Sequence, residues 1–322
     1  MSEKESVLKL LFFYSGDYIT AETFSRKLGI EKNKVYKHIQ ALRLEGYNID
    51  GQTNRGYRLS SADDVFTAES ISKFYPMDAE KIRIFSSLPS TNLTAKEMAS
   101  LGAPEGTVCI AETQTNGRGR MERKFYSPEK TGLYMSIILR PRIAPADALQ
   151  ITALSAVAVA ETIEEFTGES AQIKWVNDVY FKGKKVCGIL AESALNPKNL
   201  TVDYIILGIG VNLFEPKSHF PREIKSIAGA VFSDSFPEAR SKFTAILLKN
   251  IYKYYGALDK KEFFLPYKNR CMLTGKEVSV NTFSTIYPAT VLDINDDFSL
   301  QIKLSDGTIQ NLSTGEVSVK LR

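Results

Sequence analysis

Between Ile82 and Phe214, strand-like apolar runs alternate with stretches of helical period, and this alternation constrains the fold more than any other feature of the chain. "IRIFSSLPSTN" is a strand running into a loop, and "LTAKEMASLG" is a helix closed by Gly102. "TVCIAETQTNG" and "GLYMSIILRP" are strands on either side of a polar loop. "ALQITALSAVAVAETIEEFTG" is one long apolar helix, and "AQIKWVNDVYFKGKKVCGILAESAL" is a hairpin turning at Lys182-Gly183-Lys184. "TVDYIILGIGVNLF" is another buried strand. Strands and helices interleaved in this way predict an α+β domain with a mixed, largely antiparallel sheet.

At 322 residues the chain is too long for one simple core, so other domains flank this one. Ahead of it, "SVLKLLFFYSGDYITAETFSRKLGIEKNKVYKHIQALRLEGYNI" reads as three short helices. Val7, Leu8, Leu10 and Leu11 form the first apolar stripe, stopped at Ser15-Gly16. Thr20 caps a second helix that turns Thr23, Phe24 and Leu28 inward, and Gly29 ends it. The third, from Lys32 to Leu44, spaces Val35, Ile39, Leu42 and Arg43 inward, with Asn33, Lys34, Lys37 and His38 on or beside the opposite face. Two helices joined by Leu28-Gly29-Ile30 make a helix-turn-helix whose second helix enters the major groove. "GYNIDGQTNRGYRLS" adds a wing with Arg55 near its tip.

The charge distribution points the same way. Residues 1–62 carry ten Lys/Arg against seven Asp/Glu and the rest thirty-one against thirty, so +3 of the net +4 sits there. Asn33, Lys34, Lys37, His38 and Arg55 are the candidate DNA contacts, the lysines as phosphate contacts more than base readers. "SADDVFTAESISKF" reads as linker and entry to the next domain, with a boundary near residue 63.

The chemistry available is limited by composition. With only two histidines, His38 and His219, the chain is not built around a histidine base or a multi-histidine metal centre. Three scattered cysteines, Cys109, Cys187 and Cys271, form no CxxC pair and suit a reducing cytoplasm. "MSEKESVLKL" places charges where a secretory signal needs an apolar run, and no later segment of membrane-spanning length is expected.

The polar residues on the α+β elements have chemistry in common. "TNGRGRMERKFYSP" carries Arg118, Arg120 and Arg123 around Gly117 and Gly119, and is either a solvated loop or a grip on an anion. In that second reading the glycines let the backbone approach a ligand and expose N–H groups. Lys174 and Lys185 bracket the hairpin, with Asn177 and Asp178 at the end of its first strand. Two cationic sets and one aspartate suit a nucleotide and its magnesium, with Asp178 facing the metal. "GIGVN", Gly208 to Asn212, lacks a third glycine and closes a strand, so it is not a dinucleotide fingerprint.

"STN" at Ser90–Asn92, "ETQTNGRGRMERKFYSP", "KWVNDVYFKGKKVCGILAE" and "LGIGVNL", in this order behind a helix-turn-helix, resemble the bifunctional biotin–protein ligase and biotin-operon repressor family over essentially the whole chain. The resemblance implies condensation of biotin with ATP to biotinyl-5′-AMP, and transfer of biotin to a lysine of a carboxylase carrier domain. It implies that Ser90, Thr91, Asn92 and Gln114 surround biotin's rings, and that Arg118, Gly119 and Arg120 close over biotin and the adenylate. Lys185 then reaches the biotin carboxylate and the α-phosphate. Arg120, Arg123, Lys174, Asn177 and Asn212 fall on the nucleotide side, and Asp178 on the metal side as a Mg²⁺ ligand. The catalytic set is Arg118, Arg120, Lys185 and Asp178. Partners implied are the carrier domain, operator DNA and a second copy of the chain, with no membrane and biotinyl-AMP as corepressor. The sequence departs from the family at Phe125, commonly tryptophan, at Glu122 within a usually more basic loop, and at Val176, commonly proline. A lipoate-type ligase shares the fold, but the GRGR loop speaks against it. A transcription factor that only senses its ligand is disfavoured by retention of Arg118, Arg120, Lys185 and Asp178.

After the catalytic segment, "EARSKFTAILLKNIYKYYGALDKKEFFLPYKNR" reads as a closing helix whose Tyr and Phe residues pack. The last fifty residues are short alternating strands with turns such as "LSDGT" and read as an SH3-like barrel, the family's C-terminal domain. The expected organisation is a winged helix-turn-helix at 1–62, a biotin/lipoate-ligase-like catalytic domain at 63–270 and a small SH3-like β-barrel at 271–322.

Overall fold

The computed structural model describes residues 2–14, 17–44, 47–59, 66–196, 201–234, 236, 238–281, 285–313 and 316–319. The expected helix stop at Ser15-Gly16 and the boundary near residue 63 lie outside these. The chain divides into two compact units, Met1–Glu80 with Asp234–Ile246, and Lys81–Ser233 with Leu247–Arg322.

In the first unit, α1 (Glu3–Phe13), α2 (Ala21–Leu28) and α3 (Lys32–Leu44) enclose a core of Val7, Leu11, Phe24, Val35, Ile39 and Leu42, all fully buried. The local signals work as read. Thr20 accepts a hydrogen bond from the Thr23 amide, and Gly29 adopts the left-handed conformation (φ 66°) that ends α2. The wing is an antiparallel pair, β1 (Ile49–Gln52) and β2 (Gly56–Leu59). Then α4 (Ala68–Ser72) starts at a capping box on Thr67 and Ser70, and Ser70 hydrogen-bonds Ser241 at 2.6 Å.

The second unit is built on a seven-stranded sheet in the order β3-β4-β5-β9-β8-β7-β6. In chain order, β3 (Ile82–Leu88) leads through α5 (Thr91–Ser100) to β4 (Val108–Gln114), the sheet's parallel pair. β5 (Gly132–Leu139) follows, then α6 (Leu149–Thr167), β6 (Gln172–Lys174), β7 (Asp178–Phe181), β8 (Lys184–Leu195) and β9 (Val202–Asn212), all paired antiparallel. The predicted mixed sheet is therefore present.

The helical stretch Pro145–Thr167 is long and apolar enough to cross a bilayer, contrary to the expectation from sequence. Most of it is buried inside the protein, because α6 is the helix that covers the β6–β8 half of the sheet.

The predicted single closing helix is two, α7 (Ala239–Tyr255) and α8 (Phe264–Arg270), with a short 3₁₀ turn between them. α7 stops at Gly256, and Pro266 occupies the first turn of α8, where its missing N–H costs no helical bond. β10 (Glu277–Asn281), β11 (Ile286–Ile294), β12 (Leu300–Leu304), β13 (Ile309–Leu312) and β14 (Glu316–Val319) form a five-stranded antiparallel sheet, order β13-β12-β11-β10-β14, the small SH3-like barrel expected.

Candidate functional site

The ends of β4, β8 and β9 with the loops beside them enclose a cleft of about 410 Å³ in the second unit. Every candidate catalytic, biotin-, nucleotide- and metal-binding residue of this unit lines it, from Ser90 to Asn212.

Two glycines make its floor possible. A Cβ on Gly208 would lie 2.0 Å from Asn92 Oδ1, and one on Gly210 would lie 2.5 Å from the Phe125 ring. The sheet must present bare backbone there for α5 and the loop to approach. Asn92 is 5% exposed and fixed from both sides: its amide donates to Glu192 at 2.6 Å, and Ser136 Oγ donates to its carbonyl oxygen at 2.7 Å. Gln114 Oε1 accepts from the Thr91 amide at 2.9 Å and its Nε2 donates to Ser127 Oγ at 2.9 Å. Ser90, Thr91, Asn92 and Gln114 thus form one end of neutral, oriented hydrogen-bonding groups.

The arginine loop is a tight hairpin in which Arg118 bridges to Lys124. Met121 and Glu122 at its tip take the left-handed conformation (φ 53° and 59°). Gly119 does not expose its N–H group as predicted. Gly119 N–H donates within the hairpin to Arg123 O at 2.7 Å. Gly117 is needed for space, since a Cβ there would lie 2.4 Å from Phe125 O. The arginines are what the loop offers: Arg118 and Arg123 are exposed, and Arg120 donates to Asn177 Oδ1 at 3.2 Å.

Opposite the loop, Trp175 to Asn177 form a turn between β6 and β7, and Asp178 opens β7 instead of ending a strand. The Asn177 amide donates to Ile189 O at 3.0 Å. Lys185 reaches across from β8 to form an ion pair with Asp178 Oδ1 at 2.6 Å, and among the described residues that buried oxygen has no hydrogen-bond partner. Asn212 donates to Gly229 O at 3.1 Å, and Lys174 also faces the cleft. This end is cationic.

Among the described residues no group of three or more His, Cys, Asp or Glu side chains could hold a metal by itself. One carboxylate, Asp178, does fit a magnesium ion carried mainly by nucleotide phosphates.

Sequence reasoning missed several cleft residues: Phe125 as floor packing, Trp175, the wall at Ile224, Ile227 and Ala228, and Val317 from β14. Only the aromatic character of Phe125 and Trp175 could have marked them.

On the helix-turn-helix, Asn33, Lys34 and Lys37 are exposed on α3 as expected, and His38 is half-buried. Lys34 and His38 are held by Glu3 of α1, at 3.1 and 3.3 Å, and the two hold its carboxyl below the usual range. Arg55 is exposed in the wing turn, as expected, with its guanidinium over the Tyr18 ring at 4.4 Å. Tyr36, 54% exposed on α3, was not foreseen.

A cleft half neutral and half cationic, over a glycine-floored mixed sheet behind a helix-turn-helix, defines a class of ligases that activate a carboxylate with a nucleotide. Residues 84–212 match the biotin/lipoate A/B protein ligase family, and residues 3–58 match a helix-turn-helix domain. The bifunctional ligase/repressor BirA of Bacillus subtilis (strain 168) is 32% identical over 311 residues, 94% of this chain and 95% of that protein. BirA of Escherichia coli K12 is 29% identical over 214 residues, 66% of this chain and 65% of that one. The solved biotin protein ligase from Aquifex aeolicus in complex with biotin and ATP superposes with a TM-score of 0.61 at 28% identity, covering 74% of this chain and 98% of that one. The chain belongs to the biotin/lipoate A/B protein ligase family, in the branch of the bifunctional ligase/repressors.

Proposed function

We propose that the chain is an ATP-dependent biotin–protein ligase, and a DNA-binding repressor with biotinyl-AMP as corepressor. The observation that carries this reading is one cleft with a neutral end and a cationic end that holds Lys185. The neutral end, Ser90, Thr91, Asn92 and Gln114, suits the uncharged rings of biotin, whose ureido group needs fixed donors and acceptors. The carboxylate then lies toward Lys185 and the arginines.

The first step sets anion against anion: a biotin carboxylate oxygen bonds to the α-phosphorus of ATP as the bond to pyrophosphate breaks. Arg118, Arg120 and Lys185 neutralise that approach and hold the reactants together. Arg123, Lys174, Asn177 and Asn212 hold the nucleotide, and Asp178 offers an oxygen to Mg²⁺, which supplies further charge neutralisation when bound. In the second step a lysine amine of the carrier domain attacks the acyl carbon, AMP leaves, and the amine loses its proton. No protein nucleophile is needed, consistent with Cys187 being 1% exposed.

The helix-turn-helix supports operator binding through Asn33, Lys37 and the wing, with Lys34 joining once it leaves Glu3. We place the functional domains at 1–62, 63–270 and 271–322, and expect a homodimer in the cytoplasm. The test is labelling of a purified biotin carrier domain with biotin and ATP, with lipoate as competitor. Biotin-dependent labelling that lipoate does not suppress is expected. A folded, biotin-binding protein that labels nothing would refute the ligase.

A further inference from the structure

The chain has one tryptophan, and it sits where the C-terminal sheet reaches the cleft. Trp175 is 3% exposed, and its indole N–H donates to the carbonyl of Phe298 at 2.8 Å. Phe298 lies in the turn between β11 and β12 with φ 65°, a left-handed conformation that a bulky residue keeps only when its surroundings hold it there.

They do hold it. The fully buried ring stacks on Phe263 (centroids 5.3 Å apart, planes 10° apart) and meets Phe264 and Tyr267 edge-on at 5.5 and 5.7 Å. That clamp fixes the direction of the Phe298 carbonyl. Tyr267 also donates its hydroxyl to Val176 O at 3.1 Å. The two residues before Asn177 are therefore tied down from outside the seven-stranded sheet, and Asn177 is the residue to which Arg120 donates at 3.2 Å.

We infer that Trp175 and Phe298 are positioning residues for the nucleotide end of the cleft: the C-terminal sheet, through the Phe298 carbonyl, sets the 175–177 turn so that Asn177 holds Arg120 toward the phosphates. This rests on the ligase reading for its substrates. The neutral end has its own supports, in Ser136, Ser127 and Glu192, and among the described residues it meets the 175–177 turn only through neighbouring carbonyls of β8, Asn92 at Leu190 and Asn177 at Ile189. Disturbing the turn therefore weakens ATP and spares biotin, a selectivity that a merely structural tryptophan would not have.

Trp175→Phe keeps the ring and removes the N–H. Biotin-dependent pyrophosphate release by the full chain is measured with ATP and biotin varied separately. The KM for ATP is expected to rise about tenfold, the scale of one buried hydrogen bond lost, with the KM for biotin within about twofold and any fall in kcat following from the place of Arg120 in the catalytic set. Phe298→Leu, which keeps the carbonyl but loosens its clamp, should give the same ATP-selective change, and the double variant should be no worse than the worse single one. Equal rises in both KM values, a fall in kcat alone, or unchanged kinetics would overturn the assignment. Titration with ATP in the presence of biotin separates this from the underlying reading. A wild type that binds ATP yet releases no pyrophosphate refutes the ligase, while the variant's ATP affinity still decides the positioning role. A wild type that binds no ATP overturns both.

Discussion

The cleft and the helix-turn-helix both gather positive charge, but they hold it differently. In the cleft, Asn92, Gln114, Asn177 and Arg120 are each hydrogen-bonded to a neighbour before any ligand arrives. The ordering cost is met on folding, so each group acts at nearly full strength on a small ligand. On α3 the lysines are long, exposed side chains, and Lys34, with the half-buried His38 beside it, is held by Glu3 of the same unit. Such contacts are individually weak and salt-screened, which suits a polyanion met by many of them at once. A basic residue on an outward face is thus not the same as an available one.

The largest effect should come from the cleft floor. Gly208→Ala puts a methyl group 2.0 Å from an Asn92 oxygen that Ser136 and Glu192 prevent from moving away. Biotin-dependent pyrophosphate release should be nearly abolished, with about 1–3 kcal/mol of stability lost to overpacking. A near-normal KM for biotin in this variant would show that the floor is soft and would break the comparison at its strongest point. Next comes Lys185→Ala, expected to slow adenylate formation by on the order of 10²–10³-fold, the scale for losing one charge-stabilising donor. It also leaves Asp178 without its ammonium, so the melting temperature should fall. Adding Asp178→Asn should restore the melting temperature and leave adenylation slow; recovery of both would assign Lys185 to structure alone.

Where the sequence could be read and where it could not follows the same division. Caps and turns are local chemistry, so Thr20, Gly29 and the Lys182-Gly183 turn (φ 50° and 74°) stand where the pattern puts them. The polar groups of the cleft were legible because the motifs around Ser90, Gln114, Arg120 and Lys185 each carry an unusual residue combination. The glycine floor was not, because the need for Gly208 is set by Asn92, far off in the chain. The 175–177 turn was read as strand end because "IKWVND" continues an apolar pattern while the backbone reverses between β6 and β7. The Glu3 pairs depend on α1 packing against α3, and the contact of Arg55 with Tyr18 on the wing meeting the segment before α2, which no spacing records.

A smaller effect tests the DNA side. Glu3→Gln removes the carboxylate that competes with phosphate for Lys34 and His38. Glu3, held below the usual carboxylate range, is ionised throughout the neutral region, so the competition operates at pH 7 and fades only as acid protonates Glu3. Operator affinity should rise a few-fold at low salt, with a steeper salt dependence because another lysine meets the backbone. Identical salt slopes for the two proteins would show that Glu3 does not withhold Lys34 from the DNA backbone, and would refute that competition.

The smallest expected effect is an absence of reaction, and it probes whether the cleft wall is as fixed as the comparison requires. Cys187 lines the cleft from β8 yet is 1% exposed, and burial, with the Asp178 charge adding to it, pushes its thiol far up. Burial alone pushes the Cys109 thiol up to about 12. The thiolate is the reactive form, so at pH 8 both should stay protonated and inert while half-buried Cys271 takes up iodoacetamide. Mass mapping of the folded protein should find Cys271 alone modified, with or without biotin and ATP. Rapid alkylation of Cys187 in a protein that keeps its fold would mean that β8 opens to solvent at the cleft, and the contrast between a preset pocket and a loosely held DNA face would shrink accordingly.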